Sequence, residues 1–194
     1  MKTGSLSRDL GALFIFCLIY PLGQVAGQAA VPFSPSQEPS DVASVDAIVS
    51  AVYDVISGPA GEARNWDRWR SLFIPEARLI AVGRGPDGAH RYRVMTPEEY
   101  VQASGPTLEA SGFFEEEIGR RQEEFGPVVH LFSAYQSRRS LDDPEPFSRG
   151  INSFQLMNDG SRWWVVTIYW TSERPDLPIP EAYLGRGLPG EGGP

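Results

Sequence analysis

The feature that most constrains this chain is a pair of apolar segments joined by a turn, residues 150–170, GINSFQLMNDGSRWWVVTIYW. Asn-Asp-Gly between two apolar runs is a strong β-hairpin signal, because these residues tolerate the backbone angles of tight turns. The second run contains four large aromatic residues. The first contains one amide, Asn152, in a stretch otherwise suited to a buried strand. The hairpin therefore predicts two long strands, with Asn152 as either a functional polar group or a buried amide satisfied by neighbouring backbone.

Three segments before the hairpin predict helices, because their apolar residues recur at helical spacing. Pro75 is expected to stop the second helix, and Pro106 to interrupt or end the third. The segments are Val45–Ile56, with Asp41 or Ser44 as its N-cap, 65–74, capped by Asn65, and 96–111, which opens with a capping box at Thr96.

The remaining segments predict strands and complete the fold class. Two short strands, 77–84 and 90–95, come before the third helix, and the stretches 112–125 and 127–139 lead into the hairpin. Helices early and strands late predict an α+β fold. Since long strands twist and curl, we expect a cone-shaped, strongly curved, mostly antiparallel sheet with three N-terminal-side helices packed on its concave face.

Three of these elements carry a resemblance to a known family. The segment WDRWRSLFIPEARL, the capped third helix and the closing NDGSRWWVVTIYW resemble the nuclear transport factor 2-like superfamily, with its SnoaL-like and ketosteroid-isomerase-like members, over roughly residues 44–172. RGINSFQLMNDGSRWWVV followed by PIPEAYL is most similar to secreted bacterial members without an assigned activity. The fold hosts enzymes and pure binding modules, so the resemblance implies an architecture and not a reaction.

The resemblance also assigns roles to individual positions. Asn152 stands where ketosteroid isomerases carry an aspartic acid that donates a hydrogen bond to the substrate oxyanion; an amide can donate, but it cannot titrate. Tyr53 stands near the isomerase tyrosine. The stretch that carries the isomerase base is here RLIAVGRG, without a carboxylate. Ketosteroid-isomerase chemistry is therefore excluded, and Asn152 is interpreted as a hydrogen-bond donor without its base.

Strand alternation and the apolar stripe of the second helix predict the pocket wall. Successive side chains point to opposite faces of a strand, so the more uniformly apolar sets should face the helices. The predicted ligand-binding residues are Asn152, Phe154, Trp164, Ile168, Trp170 and Trp69.

The residues on the other side of the last strand are predicted to lie on the outer face of the sheet, away from the helices. Trp163 and Tyr169 fall there, and exposed large aromatics often mark an interface. Relatives of the resembled fold commonly dimerise through the outer sheet face. The expectation is therefore a homodimer.

The acid–base candidates are His130, Tyr53 and Glu116. His130 lies in VVHLFSAYQSRR, where both faces are half apolar, so the pattern allows it to point inward as an acid–base group or outward as a packed side chain. FFEEEIGRRQEEF places a glutamate of 115–117 beside phenylalanine. A carboxylate in an apolar hollow would have a raised pKa. The alternative is a solvated charge ladder to Arg138 and Arg139.

The N-terminus predicts the compartment. Lys2 and Arg8 precede LGALFIFCLIYPLG and then small residues, the pattern of a secretory signal peptide. The apolar run is roughly 14 residues, short of the about 20 that span a bilayer, so a retained signal anchor is the weaker alternative. We expect a secreted or periplasmic protein. The predicted regions are a signal peptide at 1–27, a flexible Pro/Ser-rich leader at 28–43, a domain with a C-terminal strap at 44–184 and a disordered tail at 185–194.

The composition limits the classes of partner and cofactor that we expect. Loss of residues 1–27 removes the only cysteine and, with Lys2, Arg8 and Asp9, leaves 15 basic (17 minus 2) and 24 acidic (25 minus 1) residues, a net charge of −9. That charge disfavours nucleic acid and anionic membrane surfaces as partners. Two histidines and no cysteine predict no metal site, and no cofactor is expected.

The favoured interpretation is a small-molecule-binding domain with a pocket for a small apolar or amphipathic ligand. Two alternatives remain: a lyase- or isomerase-type enzyme that uses His130 and Tyr53, and a homodimeric interaction protein without a ligand.

Overall fold

The computed structural model describes residues 39–185; the predicted signal peptide, the leader up to residue 38 and the tail from residue 186 lie outside the described residues. The order of helices and strands agrees with the prediction. The elements are a 3-10 turn at Pro39–Val42, α1 (Val45–Ile56), α2 (Trp66–Ser71), β1 (Phe73–Arg84), β2 (His90–Met95), α3 (Pro97–Ser111), β3 (Phe114–Phe125), β4 (Val128–Arg138), β5 (Ser148–Asn158), β6 (Trp163–Ser172) and a 3-10 turn at Glu181–Tyr183.

The six strands form one mixed sheet in the order β2-β1-β6-β5-β4-β3. All neighbouring strands are antiparallel except β1 and β6, which are parallel. The sheet is curved, as predicted for this α+β fold, and it is not closed. Apolar side chains of α1, α2 and α3 pack against one face of the sheet, here called the inner face; the opposite face is the outer face.

Each of the three helices is preceded by a residue whose side chain caps its N-terminus. Ser44 caps α1, since its Oγ accepts a hydrogen bond from the Ala47 N–H at 3.1 Å. Asp41, the other candidate, pairs instead with Arg68 of α2 at 2.7 Å. Asn65 caps α2, and the predicted capping box at Thr96 is present at the start of α3. None of the helices in residues 39–185 is long and apolar enough to cross a membrane.

Two proline predictions are wrong. α3 continues through Pro106 to Ser111. Pro106 is exposed, so the carbonyl of Gln102, which loses its helical partner, can bond to water instead. α2 ends at Ser71, before Pro75, which lies within β1 where the pairing with β6 is irregular.

Two β-bulges change which side chains face the helices. On β6, Val165 pairs with Leu156 and Thr167 pairs with Gln155, which leaves Val166 as an extra residue. On β3, the register shifts in the same way at Ile118. Because an extra residue reverses the alternation of faces, a prediction from uninterrupted alternation fails beyond each bulge.

The bulge at Val166 reverses the two neighbouring tryptophans. Trp163 packs against the core, whereas Trp164 pairs with Met157 on the outer face. The Trp164 indole donates a hydrogen bond to Asp159 at 2.7 Å, and the Arg162 guanidinium lies 3.6 Å from its ring centroid. The predicted inward orientation of Trp164 and outward orientation of Trp163 are therefore both wrong.

The segment 173–185, here called the strap, packs on the outer face of β3 and β4. The Arg121 side chain donates a hydrogen bond to the Ala182 carbonyl at 3.2 Å. The Tyr183 ring meets Phe132 edge-on, with centroids 5.6 Å apart. A Cβ on Gly119 would overlap the backbone of the strap, so this contact needs glycine.

Candidate functional site

A cavity of about 250 Å³ lies between the helices and the inner face of the sheet. Most of its wall is aromatic or aliphatic, and its polar groups come mainly from β3, β4 and β5. The lining residues are Val52, Ile56, Trp69, Leu79, Tyr100, Ser104, Leu108, Phe113, Glu115, Tyr135, Ser137, Phe147, Ser148, Asn152, Phe154, Ile168 and Trp170.

Five of the six predicted ligand-binding residues line this cavity: Trp69, Asn152, Phe154, Ile168 and Trp170. Their role in binding remains a prediction. The sixth, Trp164, lies on the outer face because of the bulge described above.

Glu115 is the carboxylate of the cavity. Its Oε2 accepts a hydrogen bond from Ser137 Oγ at 2.8 Å, and its Oε1 accepts one from Asn152 Nδ2 at 3.4 Å. Burial raises the pKa of Glu115 to about 7, against the opposing effect of these two hydrogen bonds. A carboxyl group in the cavity is therefore close to half ionised at neutral pH.

Glu116 was the predicted carboxylate, and that prediction is wrong. Its side chain is exposed on the outer face, where it accepts hydrogen bonds from Gln136 at 2.7 Å and Arg138 at 2.9 Å. The charge-ladder alternative thus describes Glu116, while its neighbours Glu115 and Glu117 point inward. Glu115 pairs with Ser137 of β4, and this register, which local sequence spacing does not contain, determines that Glu115 faces inward.

Behind the cavity runs a chain of hydrogen bonds with a defined direction. Glu117 is ion-paired with Arg120 at 2.6 Å, so it is an acceptor, and Ser133 Oγ donates to it at 2.6 Å. Because the only hydroxyl proton of Ser133 is used there, Tyr53 donates to Ser133 at 2.7 Å. Asn152 Nδ2 then donates to the Tyr53 hydroxyl oxygen at 3.1 Å.

This direction reverses the predicted role of Asn152. Its two N–H groups are directed to Tyr53 and Glu115. Within residues 39–185, Oδ1 of Asn152 has no hydrogen-bond partner. Every fully buried side-chain oxygen or nitrogen in these residues does have one, so Oδ1 is not fully buried and is accessible from the cavity that Asn152 lines. Asn152 therefore offers the cavity an acceptor, not the donor that the resemblance to ketosteroid isomerases implies. Tyr53, with its proton held by Ser133, is not free to donate either.

Stacked and edge-on aromatic rings form one wall of the cavity. Tyr100 stacks on Trp69 with ring centroids 4.9 Å apart, and Trp170 meets Tyr100 edge-on at 6.4 Å. Burial raises the pKa of Tyr100. On another wall, Tyr135 crosses Gly150, where a Cβ would lie 2.5 Å from the tyrosine oxygen, so glycine is needed for the close approach.

His130 lies away from the cavity. It alternates with the buried inner residues Val129 and Leu131, and its ring contacts Phe132 and the Ser153 hydroxyl on the outer face. Tyr53 lies on the inner side of the sheet. The predicted enzyme mechanism that combines His130 with Tyr53 is therefore wrong, because the sheet separates the two side chains.

The described part of the chain shows no basic residue in the cavity wall and no group of three or more His, Cys, Asp or Glu side chains that could hold a metal ion. The polar end of the cavity thus consists of one carboxyl group, one amide oxygen and neutral hydroxyls.

No protein-family model and no curated protein matches the chain. Similar solved structures include a nuclear transport factor 2 (NTF2-like) superfamily protein from Salmonella enterica serovar Typhimurium, at 14% identity and a TM-score of 0.45, covering 74% of this chain and 91% of that one. An NTF2-like protein of unknown function from Methylobacillus flagellatus is 14% identical with a TM-score of 0.44, and the match covers 68% of this chain and 95% of that one. Another from Shewanella baltica is 13% identical with a TM-score of 0.41, and the match covers 66% of this chain and 89% of that one. The sequence resemblance and these descriptions name the same superfamily. At such identities the likeness concerns the fold and not the ligand.

Proposed function

We propose that this chain is a small-molecule-binding domain whose cavity accepts a small, mostly apolar ligand with one polar group directed at Glu115 and Asn152. The observation that carries the proposal is the cavity of about 250 Å³ itself, with a mostly apolar wall and polar groups mainly from β3, β4 and β5. Apolar walls with a few convergent polar groups are typical of ligand sites. Since a water molecule takes ~30 Å³ of liquid volume, the cavity suits a ligand about the size of one substituted ring.

The localisation of the protein and its oligomeric state belong to the same proposal. The N-terminal sequence supports a secreted or periplasmic protein, and these residues lie outside those that the structure describes. The predicted homodimer also remains a proposal. With Trp163 in the core, its surface would depend on Tyr169, which is half exposed on the outer face.

Fluorine NMR of the protein labelled with 5-fluorotryptophan tests for binding. Trp69 and Trp170 line the cavity, while Trp164 on the outer face is an internal control. Titration with small aromatic compounds, starting with 2-phenylethanol, should shift the Trp69 and Trp170 resonances and leave that of Trp164 unchanged.

Paired variants on α3 supply the control for site specificity. Ser104→Phe places a ring in the cavity, whereas Ala103→Phe places the same ring on the solvent side of the helix. We expect Ser104→Phe to weaken binding at least about tenfold, because the ring occupies the ligand volume, and Ala103→Phe to leave binding unchanged. Equal binding by both variants would place the ligand elsewhere and contradict the proposal.

A further inference from the structure

Resting on the proposed function above, we propose that the ligand is an organic cation: a protonated amine carried on a small aromatic or aliphatic body, with its ammonium group between the Glu115 carboxylate and Asn152 Oδ1. Three independent features of the cavity lead to this class of ligand.

The first feature is the direction of the hydrogen bonds at the polar end. The Ser137 hydroxyl proton points to Glu115, and the Asn152 N–H groups point to Glu115 and Tyr53. The Tyr53 proton points to Ser133, away from the cavity. With Glu115 ionised, the atoms that Glu115 and Asn152 leave for a ligand are therefore lone pairs, on the carboxylate and on Oδ1. A ligand group bound between these two side chains must bring donors, and an ammonium group brings up to three on one atom.

The second feature is a carboxylate without a counter-charge. The other inward acid of β3, Glu117, is ion-paired with Arg120. Glu115 forms no salt bridge within residues 39–185, and the only lysine of the chain is Lys2. A buried carboxylate without a cation is costly, and a ligand ammonium supplies the missing charge.

The titratable groups that face Glu115 from the surrounding elements are phenols. They are Tyr53 of α1, Tyr100 of α3 and Tyr135 of β4, and burial raises the pKa of each, so all three are neutral at physiological pH. None of them can neutralise the carboxylate. Serine hydroxyls and the Asn152 amide make up the other polar groups of the cavity.

The third feature is the aromatic wall. Trp69, Tyr100 and Trp170 line the same cavity as Glu115. Ring faces of tryptophan and tyrosine that are open to the cavity attract cations, most strongly when water is excluded, and the rings pack against an apolar ligand body. Trp69 contributes packing, because Tyr100 and Phe73 lie against it. A neutral alcohol or amide could satisfy the lone pairs but would gain neither the charge pairing nor the full cation–π attraction.

Three probes that share a phenyl ring and differ in charge test the inference: 2-phenylethylamine (cation), 2-phenylethanol (neutral) and 3-phenylpropionate (anion). Their affinities are measured at pH 8 from the fluorine resonances of Trp69 and Trp170. We expect the amine to bind at least about tenfold more tightly than the alcohol, the usual size of a charge-assisted hydrogen bond, and the anion not to bind.

Matched variants on one strand identify the group responsible. Glu115→Gln keeps the shape and removes the charge, while Glu116→Gln removes an equal charge from the outer face. Glu115→Gln should weaken amine binding at least about tenfold and change alcohol binding less than about threefold. Glu116→Gln should change neither.

The pH dependence of the unmodified protein gives a measurement that does not depend on the folding of a variant. Burial raises the pKa of Glu115 to about 7, whereas a primary amine stays protonated near pH 8. Amine affinity should therefore rise from pH 5.5 to pH 8, while alcohol affinity stays level. The phenols named above do not titrate in this range.

The outcomes separate this inference from the proposed function. Equal affinity for amine and alcohol, or amine affinity that is indifferent to both Glu115→Gln and pH, would overturn the cation inference and leave a pocket for neutral ligands. If none of the three probes shifts the Trp69 and Trp170 resonances, both the inference and the proposed function are contradicted.

Discussion

At the residue scale, Glu115 destabilises the free protein when it is ionised, and in the proposal above the same charge binds the ligand. Its carboxyl group has an ordinary pKa of 4.5 when the chain is unfolded and a pKa of about 7 when burial surrounds it in the fold. Between these values the folded protein holds a proton that the unfolded protein releases. The contribution of this group to the free energy of unfolding is therefore largest below about pH 4.5 and is lost as the pH rises through about 7.

Glu115→Gln should accordingly stabilise the free protein at high pH. The rise of the Glu115 pKa from 4.5 to about 7 predicts a gain in the free energy of unfolding of up to about 3 kcal/mol at pH 8, which disappears near pH 4.5. Urea unfolding of both proteins across this pH range measures the difference. Glu116→Gln, at an exposed position, is the control and should differ from wild type by less than about 0.5 kcal/mol. A gain that grows toward low pH would contradict the assignment.

Five wall residues of the cavity were predictable from the sequence, whereas Glu116 was named in place of its acid, Glu115. Asn152, Phe154, Ile168 and Trp170 could be predicted because one side of each of their strands is more uniformly apolar than the other. β3 contains charged residues on both sides, and no apolar pattern distinguishes the face of Glu115 from that of Glu116. Its orientation follows from the pairing with β4, a long-range contact that local spacing does not contain.

At the element scale, the order of helices and strands was predictable and the alternation within strands was not. Caps, turns and apolar periods lie within a few residues of one another, so a single sequence shows them. Bulges at Ile118 and Val166 depend on the partner strand, and each reverses the faces beyond it. This is why Trp163 and Trp164 exchanged places and why Arg120 was not assigned to the side of Glu117.

Pro106 offers a test at the same scale. Because proline in a helix interior removes a hydrogen bond and crowds the preceding turn, Pro106→Ala should raise the free energy of unfolding by about 1–3 kcal/mol. Thr107→Ala, at the next exposed position, should change it by less than about 0.5 kcal/mol. Chemical unfolding followed by circular dichroism compares them. A Pro106→Ala protein that is no more stable than wild type would show that the helix end depends on the proline ring.

At the scale of the whole described domain, the chain covers part of its own outer face. The strap lies over β3 and β4, while Tyr92, Val94 and Tyr169 remain exposed at the β2-β1-β6 side of the sheet. If the predicted homodimer forms through the outer face, it must use this uncovered side. The helices and the cavity lie on the inner face, so ligand binding and assembly would use different surfaces.

Gly119→Ala tests how the strap is held. A Cβ at this position overlaps the backbone of Tyr183 and Leu184, so the strap should detach while the core remains folded. Chymotrypsin cleavage after Tyr183 should become about tenfold faster, which corresponds to ~1.4 kcal/mol of lost docking energy. Gly83→Ala is the control, since a Cβ there meets no neighbouring atom. Equal cleavage of the two variants would mean that the strap is held elsewhere.

The extra residue on β6 also determines how the hairpin tolerates a change in length. Deleting one residue from a regular strand turns every following side chain to the opposite face of the sheet. Val166 is different, since its removal would pair Val165 with Leu156 and Thr167 with Gln155 in an unbroken ladder on the β5 side. A one-residue gap at this position would leave the orientation of Trp163, Ile168 and Trp170 as it is, and an alignment that places the gap elsewhere in the strand would equate cavity residues with surface residues.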